Sequence, residues 1–229
     1  MTPSNTRAAS TGRRTLCTEA AGLHVRELPQ GEGESRTIAG YAIVFGVQSE
    51  PLWSDEDSVA REIIAPEAVT SALLDRCDIK FTLFHDRQLI LARSRNGAGT
   101  LRYSVDEHGV AFEFEAPRTA DGDKALELVR RGDVTGCSFA FSTRYFDRDF
   151  VELSTGTADD GRLLYTYTVR VVLDVCDFTL TPDPAYEATE ASLRDLAGAL
   201  RDALPEPALT PCACTDAASL RAAAGIPMF

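Results

Sequence analysis

The chain has 229 residues, 44% of them hydrophobic, which suits one folded domain with a sizeable core rather than a disordered or fibrous polymer. Its formal net charge of -12 disfavours a phosphate backbone as partner, because such binding depends on Lys and Arg displacing counterions, so nucleic acid is excluded as a target class. No run of 18 apolar residues occurs and the opening Met1-Thr2-Pro3-Ser4-Asn5-Thr6-Arg7 is polar, so neither a membrane span nor a signal peptide is expected.

Residues 1–18, rich in Ser, Thr, Arg and Gly without periodicity, read as a flexible arm. Alternation predicts a strand over Leu23–Leu28, and the β-branched run Arg36–Phe45 predicts a buried one with Gly40 at a bulge or close backbone approach. A loop with the single tryptophan, Trp53, leads to a strand at Val59–Ile64, and Pro66 then opens a helix to about Leu74. Ile79–Phe84 is a strand ending at His85-Asp86, followed by Leu89–Arg93 and an Asn96-Gly97 hairpin signal. Thr100–Val105 and Val110–Glu115 form a second hairpin, and Ala120–Arg131 has helical spacing, acids in its first turn and Gly132 after its end. Val134–Arg144 returns to strand, a hairpin arm covers Tyr145–Thr157, and Tyr165–Thr179 is the longest β-branched run. An amphipathic helix at 191–204, with Leu193, Leu196 and Leu200 on one face, precedes an Ala/Pro-rich tail at 205–229. The folded part, 19–190, is expected to be a mainly antiparallel β domain of about seven or eight strands with a few helices.

The six cysteines, at 17, 77, 137, 176, 212 and 214, contain no CxxC pair, so no zinc site is expected, and they read as reduced thiols of a cytoplasm. Ser138 stands in an apolar strand with Gly136 before it and Ala140 after it, which leaves room for close approach. A serine hydroxyl attacks only when a base takes its proton. Of the three histidines, His24 lies near the arm and His108 in a hairpin turn, whereas His85 ends an apolar strand. Cys137 is a rival nucleophile, but alternation sets it opposite Ser138 and on the face of Phe139, the position of a core cysteine. The group that would orient the imidazole is open between Asp86, Asp133, Asp174 and Asp177. Asp86 adjoins His85, so its side chain would diverge from the ring, while Asp174 interrupts an apolar run and faces either solvent or a specific partner.

Eight segments in order, Gly40–Phe45, Glu62–Ala68, Phe84-His85-Asp86, Leu91-Ala92-Arg93, Asn96 to Leu101, Val129–Val134, Cys137–Phe141 and Leu173-Asp174-Val175, resemble the prohead proteases of tailed phages. The resemblance spans about residues 23 to 190. It implies the fold of the herpesvirus capsid-maturation proteases, a closed antiparallel β-barrel surrounded by a few helices. Carried over, it implies Ser138 as nucleophile, His85 as base and Asp174 as the acid, with Phe139 and either Arg93 or backbone N–H groups at the oxyanion and substrate positions. The pattern departs at Cys176, where the family commonly has serine, and Thr179-Leu180-Thr181-Pro182-Asp183-Pro184 is longer than its usual run.

The implied activity is that of a serine endopeptidase that cleaves scaffold segments of the major capsid protein, and itself, inside a procapsid assembling in the host cytoplasm. Its partners would be the capsid protein and scaffold, with a homodimer as one allowed assembly and no cofactor. Two rival readings are a non-catalytic scaffold or capsid-binding module that keeps the fold, and a cysteine hydrolase using Cys137.

Overall fold

Strands sharing one hydrophobic face build the core, and in the computed structural model they form three sheets over the described residues, 10–15, 22–27, 34–182, 200–201 and 203–204. The first sheet runs β1 (Ser10–Thr15), β11 (Gly136–Thr143), β14 (Asp174–Thr181), β6 (Asp78–Leu83), β7 (Asp86–Arg95) and β8 (Ala98–Gly99). The second runs β2 (His24–Val25), β3 (Thr37–Val44), β10 (Gly109–Glu115) and β9 (Arg102–Val105). The third runs β12 (Val151–Thr157), β13 (Leu163–Val169), β5 (Ser58–Ile64) and β4 (Trp53–Ser54). Most pairs are antiparallel, but β14 pairs with β6, and β13 with β5, in parallel.

The expected closed barrel is therefore corrected: among the described residues each sheet is open, and two of the ladders are parallel. Local periodicity does not reveal such pairings, because a parallel ladder joins strands far apart in the chain. The run Tyr165–Thr179 is likewise two strands, since the chain leaves β13 in the third sheet and enters β14 in the first. Across that step Arg170 N donates to Phe150 O and Leu173 N to Ser142 O, at 2.8 Å each.

Alternation gives the first sheet one apolar face: Cys137, Phe139 and Phe141 of β11, Phe178 and Leu180 of β14, and Ile79, Phe81 and Leu83 of β6 are all buried. Phe81 stands 4.6 Å, centroid to centroid, from both Phe112 and Phe114 of β10, which locks the first sheet onto the second. Phe139 belongs to this core, only 1% exposed and stacked on Phe141 at 5.4 Å. Its ring is therefore part of the core, and any part it plays at the oxyanion or substrate position falls to its main chain.

The helix expected from Pro66 to Leu74 is two pieces, a 3-10 turn Pro66–Ala68 and a helix Ser71–Leu74, because Val69 adopts extended dihedrals between them. The helix Ala120–Arg131 is as expected, capped by Thr119 and ended by Gly132 in the left-handed region. Gly122 is required there, since a Cβ would lie 2.0 Å from Pro117 O. Ser10–Thr15, read as flexible arm, pairs with β11. Most of the helix expected at 191–204, and the tail 205–229, lie outside the described residues.

Glu62 of β5 is 2% exposed and accepts a hydrogen bond from Tyr145 Oη at 2.7 Å. Burial holds its carboxyl well above the usual carboxylate range, so the folded protein keeps a proton that the unfolded chain releases. Stability is thus full below the unfolded carboxyl's titration and falls as pH rises toward the folded one. Glu62→Gln, which retains the oxygen facing Tyr145, is expected to raise the thermal midpoint at pH 7.5 and to change it little at pH 4, as read by calorimetry across that range.

Candidate active site

The opposite face of the first sheet is polar, and its alternation brings the candidate residues together. Ser138 of β11 pairs with Thr179 of β14, which pairs with Thr82 of β6. Residues paired across a ladder share a face, so the three hydroxyls form one row. All three are 0% exposed. Thr82 Oγ1 donates to Thr179 Oγ1 at 2.7 Å.

His85 enters from the turn that joins β6 to β7. Leu83 pairs with Asp86, so Phe84 and His85 are the two central residues, and both are left-handed, with φ of 56° and 59°. This is the geometry that Asn96-Gly97 adopts at the next hairpin, with φ of 52° and 74°, but Phe and His have no intrinsic preference for it. Non-glycine residues held there cost on the order of 1 kcal/mol or more each. Two bonds to β14 hold the turn: Phe84 N donates to Leu180 O and His85 N to Thr179 Oγ1, both at 2.9 Å. The main chain of His85 is thereby fixed one residue away from Ser138 across the sheet, and its Nδ1 is shielded from solvent.

The two aspartates of β14 differ in their placement relative to Ser138. Asp174 pairs with Ser142, four residues along β11 from Ser138, or roughly 13 Å at strand rise. It is exposed, at the end of β14 remote from the turn, and accepts a 3.7 Å contact from Cys176 Sγ. Asp177 is 4% exposed and pairs with Ala140 and Lys80, so it stands on the face of Ser138, one row from Thr179. The register shifts between Ala140 and Phe141, and this bulge separates the two aspartates. The structure does not bring Asp174 to His85, whereas Asp177 is beside the residue that holds His85.

Arg93 sits on β7, three strands from β11, with Nε and Nη2 donating to the two carboxylate oxygens of Asp78 at 2.7 and 2.6 Å. That fork-to-fork pairing keeps Asp78 well below the usual carboxylate range and occupies the guanidinium. It does not bring Arg93 to Ser138. Cys137 is 0% exposed, and burial pushes its thiol up, the setting of a core cysteine. Sequence reasoning named neither Thr82 nor Thr179 beside Ser138. The available signal was the polar alternation Asp177-x-Thr179-x-Thr181 beside Lys80-x-Thr82 and Ser138.

A family model described as Caudovirus prohead serine protease matches residues 22–201. No curated protein matches significantly. A solved structure, that of the bacteriophage T4 capsid assembly protease, gp21, is similar over 74% of this chain and 98% of that chain at 10% identity, with a TM-score of 0.36.

Thr179→Val would strip a buried acceptor from both His85 N and Thr82 Oγ1, at a cost of about 1–3 kcal/mol. Chemical denaturation should show that loss for Thr179→Val and recover most of it in Thr179→Ser. A valine variant as stable as the parent would contradict the role given to this hydroxyl.

Proposed function

The chain belongs to the caudovirus prohead serine protease family, and we propose that it is the endopeptidase that trims the major capsid protein and scaffold inside the assembling procapsid, with Ser138, His85 and Asp177 as its catalytic group. The observation that carries this reading is the placement of Ser138 and the main chain of His85 on two sides of one residue, Thr179.

In this mechanism His85 takes the proton of Ser138 Oγ as the oxygen adds to the carbonyl carbon of an extended peptide. The tetrahedral intermediate collapses, the C–N bond breaks, and His85 gives its proton to the departing amine. Water activated by the same imidazole then releases the acyl group and restores Ser138. Asp177, buried on the same face, sets the tautomer of His85 and stabilises its charged form. Backbone N–H groups serve the oxyanion, since Arg93 is engaged by Asp78.

Co-expression with a major capsid protein of a tailed phage tests the assignment. Ser138→Ala and His85→Ala should leave the capsid subunit full length, and fluorophosphonate labelling of Ser138 should vanish in His85→Ala. Asp177→Asn is expected to slow cleavage roughly 10³–10⁴-fold, and Asp174→Asn to leave the rate within about twofold of the parent, as for an exposed residue outside the site. The opposite ranking would return the third role to Asp174. Normal cleavage by Ser138→Ala would leave the chain as a scaffold or capsid-binding module.

A further inference from the structure

Each open sheet leaves two edges, and one edge of the third sheet is β12. Its seven residues, Val151–Thr157, make it the longest edge strand among the described residues. It pairs with β13 along its whole length without a register shift, so no bulge twists its free side away. From Glu152 to Thr157 every residue is exposed.

The bonds at the two ends of β12 fix which way its main-chain groups point. Ala158 N donates to Arg162 O at 2.9 Å, and Phe150 O accepts from Arg170 N at 2.8 Å, so the even-numbered residues turn their N–H and C=O toward β13. Leu153, Thr155 and Thr157 turn theirs outward, where no strand lies among the described residues. Edge strands are commonly blunted by Lys, Pro, a bulge or brevity. Val151-Glu152-Leu153-Ser154-Thr155-Gly156-Thr157 has none of these, and its one charge, Glu152, accepts from Arg170 Nε at 2.9 Å.

An antiparallel copy of the same strand completes this edge. With a two-fold axis at Thr155, Thr155 stands opposite Thr155 and Leu153 opposite Thr157, and each such pair exchanges two hydrogen bonds, roughly six in all. Paired threonines are favourable neighbours across a ladder. On the other face Ser154 meets Gly156, where the place of a Cβ has nothing within 4 Å of it. Glu152 meets Ala158, so this register opposes no like charges.

We propose that the free edge of β12 is a self-association surface, joining two copies of this chain antiparallel through Leu153, Thr155 and Thr157 into one continuous sheet. The occupant is a second copy because the strand's own sequence meets every demand of the edge: outward groups in register, hydroxyl beside hydroxyl, and its carboxylate away from its twin. Each copy carries a net charge of -12, so association works against mutual repulsion and tightens as salt screens it. Ser138 belongs to the first sheet, so this surface is separate from the candidate catalytic group.

Sedimentation velocity of the purified full chain up to about 1 mM should show a monomer giving way to a dimer, at lower concentration as salt rises. Hydrogen exchange over the same range should slow at the amides of Leu153, Thr155 and Thr157. Thr155→Pro removes the central outward N–H, which β13 does not use, and Thr155→Glu sets two carboxylates face to face at the axis. Each should weaken association at least about tenfold while circular dichroism shows the fold intact. A chain that stays monomeric to about 1 mM would overturn the proposal. So would a dimer that either folded variant retains, or one in which these three amides exchange as fast as in the monomer.

Discussion

The parallel pairing of β14 with β6 is the constraint on which the rest of the site depends. It sets Thr179 between Thr82 and Ser138, and it places the carbonyl of Leu180 and the hydroxyl of Thr179 where the turn after β6 needs acceptors. A left-handed pair such as Phe84-His85 persists only when its surroundings over-determine it. Here two amide bonds and the Leu83–Asp86 pair do so. The hydroxyl row is the mirror of the aromatic core: each strand gives one face to Phe81, Phe139 and Phe178 and the other to Thr82, Ser138 and Thr179. The packing that holds the sheets together therefore also fixes the spacing of the polar row.

Much of this was written in local pattern. β5, the β9–β10 hairpin and the helix Ala120–Arg131 follow from alternation, turn residues and caps that act over a few residues. Ser138 and His85 were visible as a hydroxyl amid apolar residues and a histidine at a strand end. The partners of each strand were not legible, because the pairing of β14 with β6 joins segments almost a hundred residues apart and leaves no periodic trace. For the same reason the expected barrel gave way to three open sheets.

The two aspartates show how a single extra residue defeats alternation. Read along β14 as an uninterrupted strand, Asp174 and Asp177 fall on opposite faces, and nothing in Leu173-Asp174-Val175-Cys176-Asp177 marks where the pleat breaks. The bulge opposite Ala140 and Phe141 resets the register, so that exposure, not face, distinguishes the two. Phe84-His85 was equally silent. Asn96-Gly97 announces the same turn by residues that tolerate positive φ, whereas at Phe84-His85 the acceptors on β14 impose it.

The hydroxyl row has a kinetic meaning of its own. Ser138 and Thr179 lie in mid-ladder, and the turn that carries His85 is tied to their row, so the sheet itself holds the group. Such an enzyme is limited by the supply of substrate. Its output follows the local abundance of chain segments able to lie beside it, and enclosure sets that abundance: the same molecules free in a cell and crowded within a small shell differ by orders of magnitude in effective concentration. For a fold of this kind, the container does the timing.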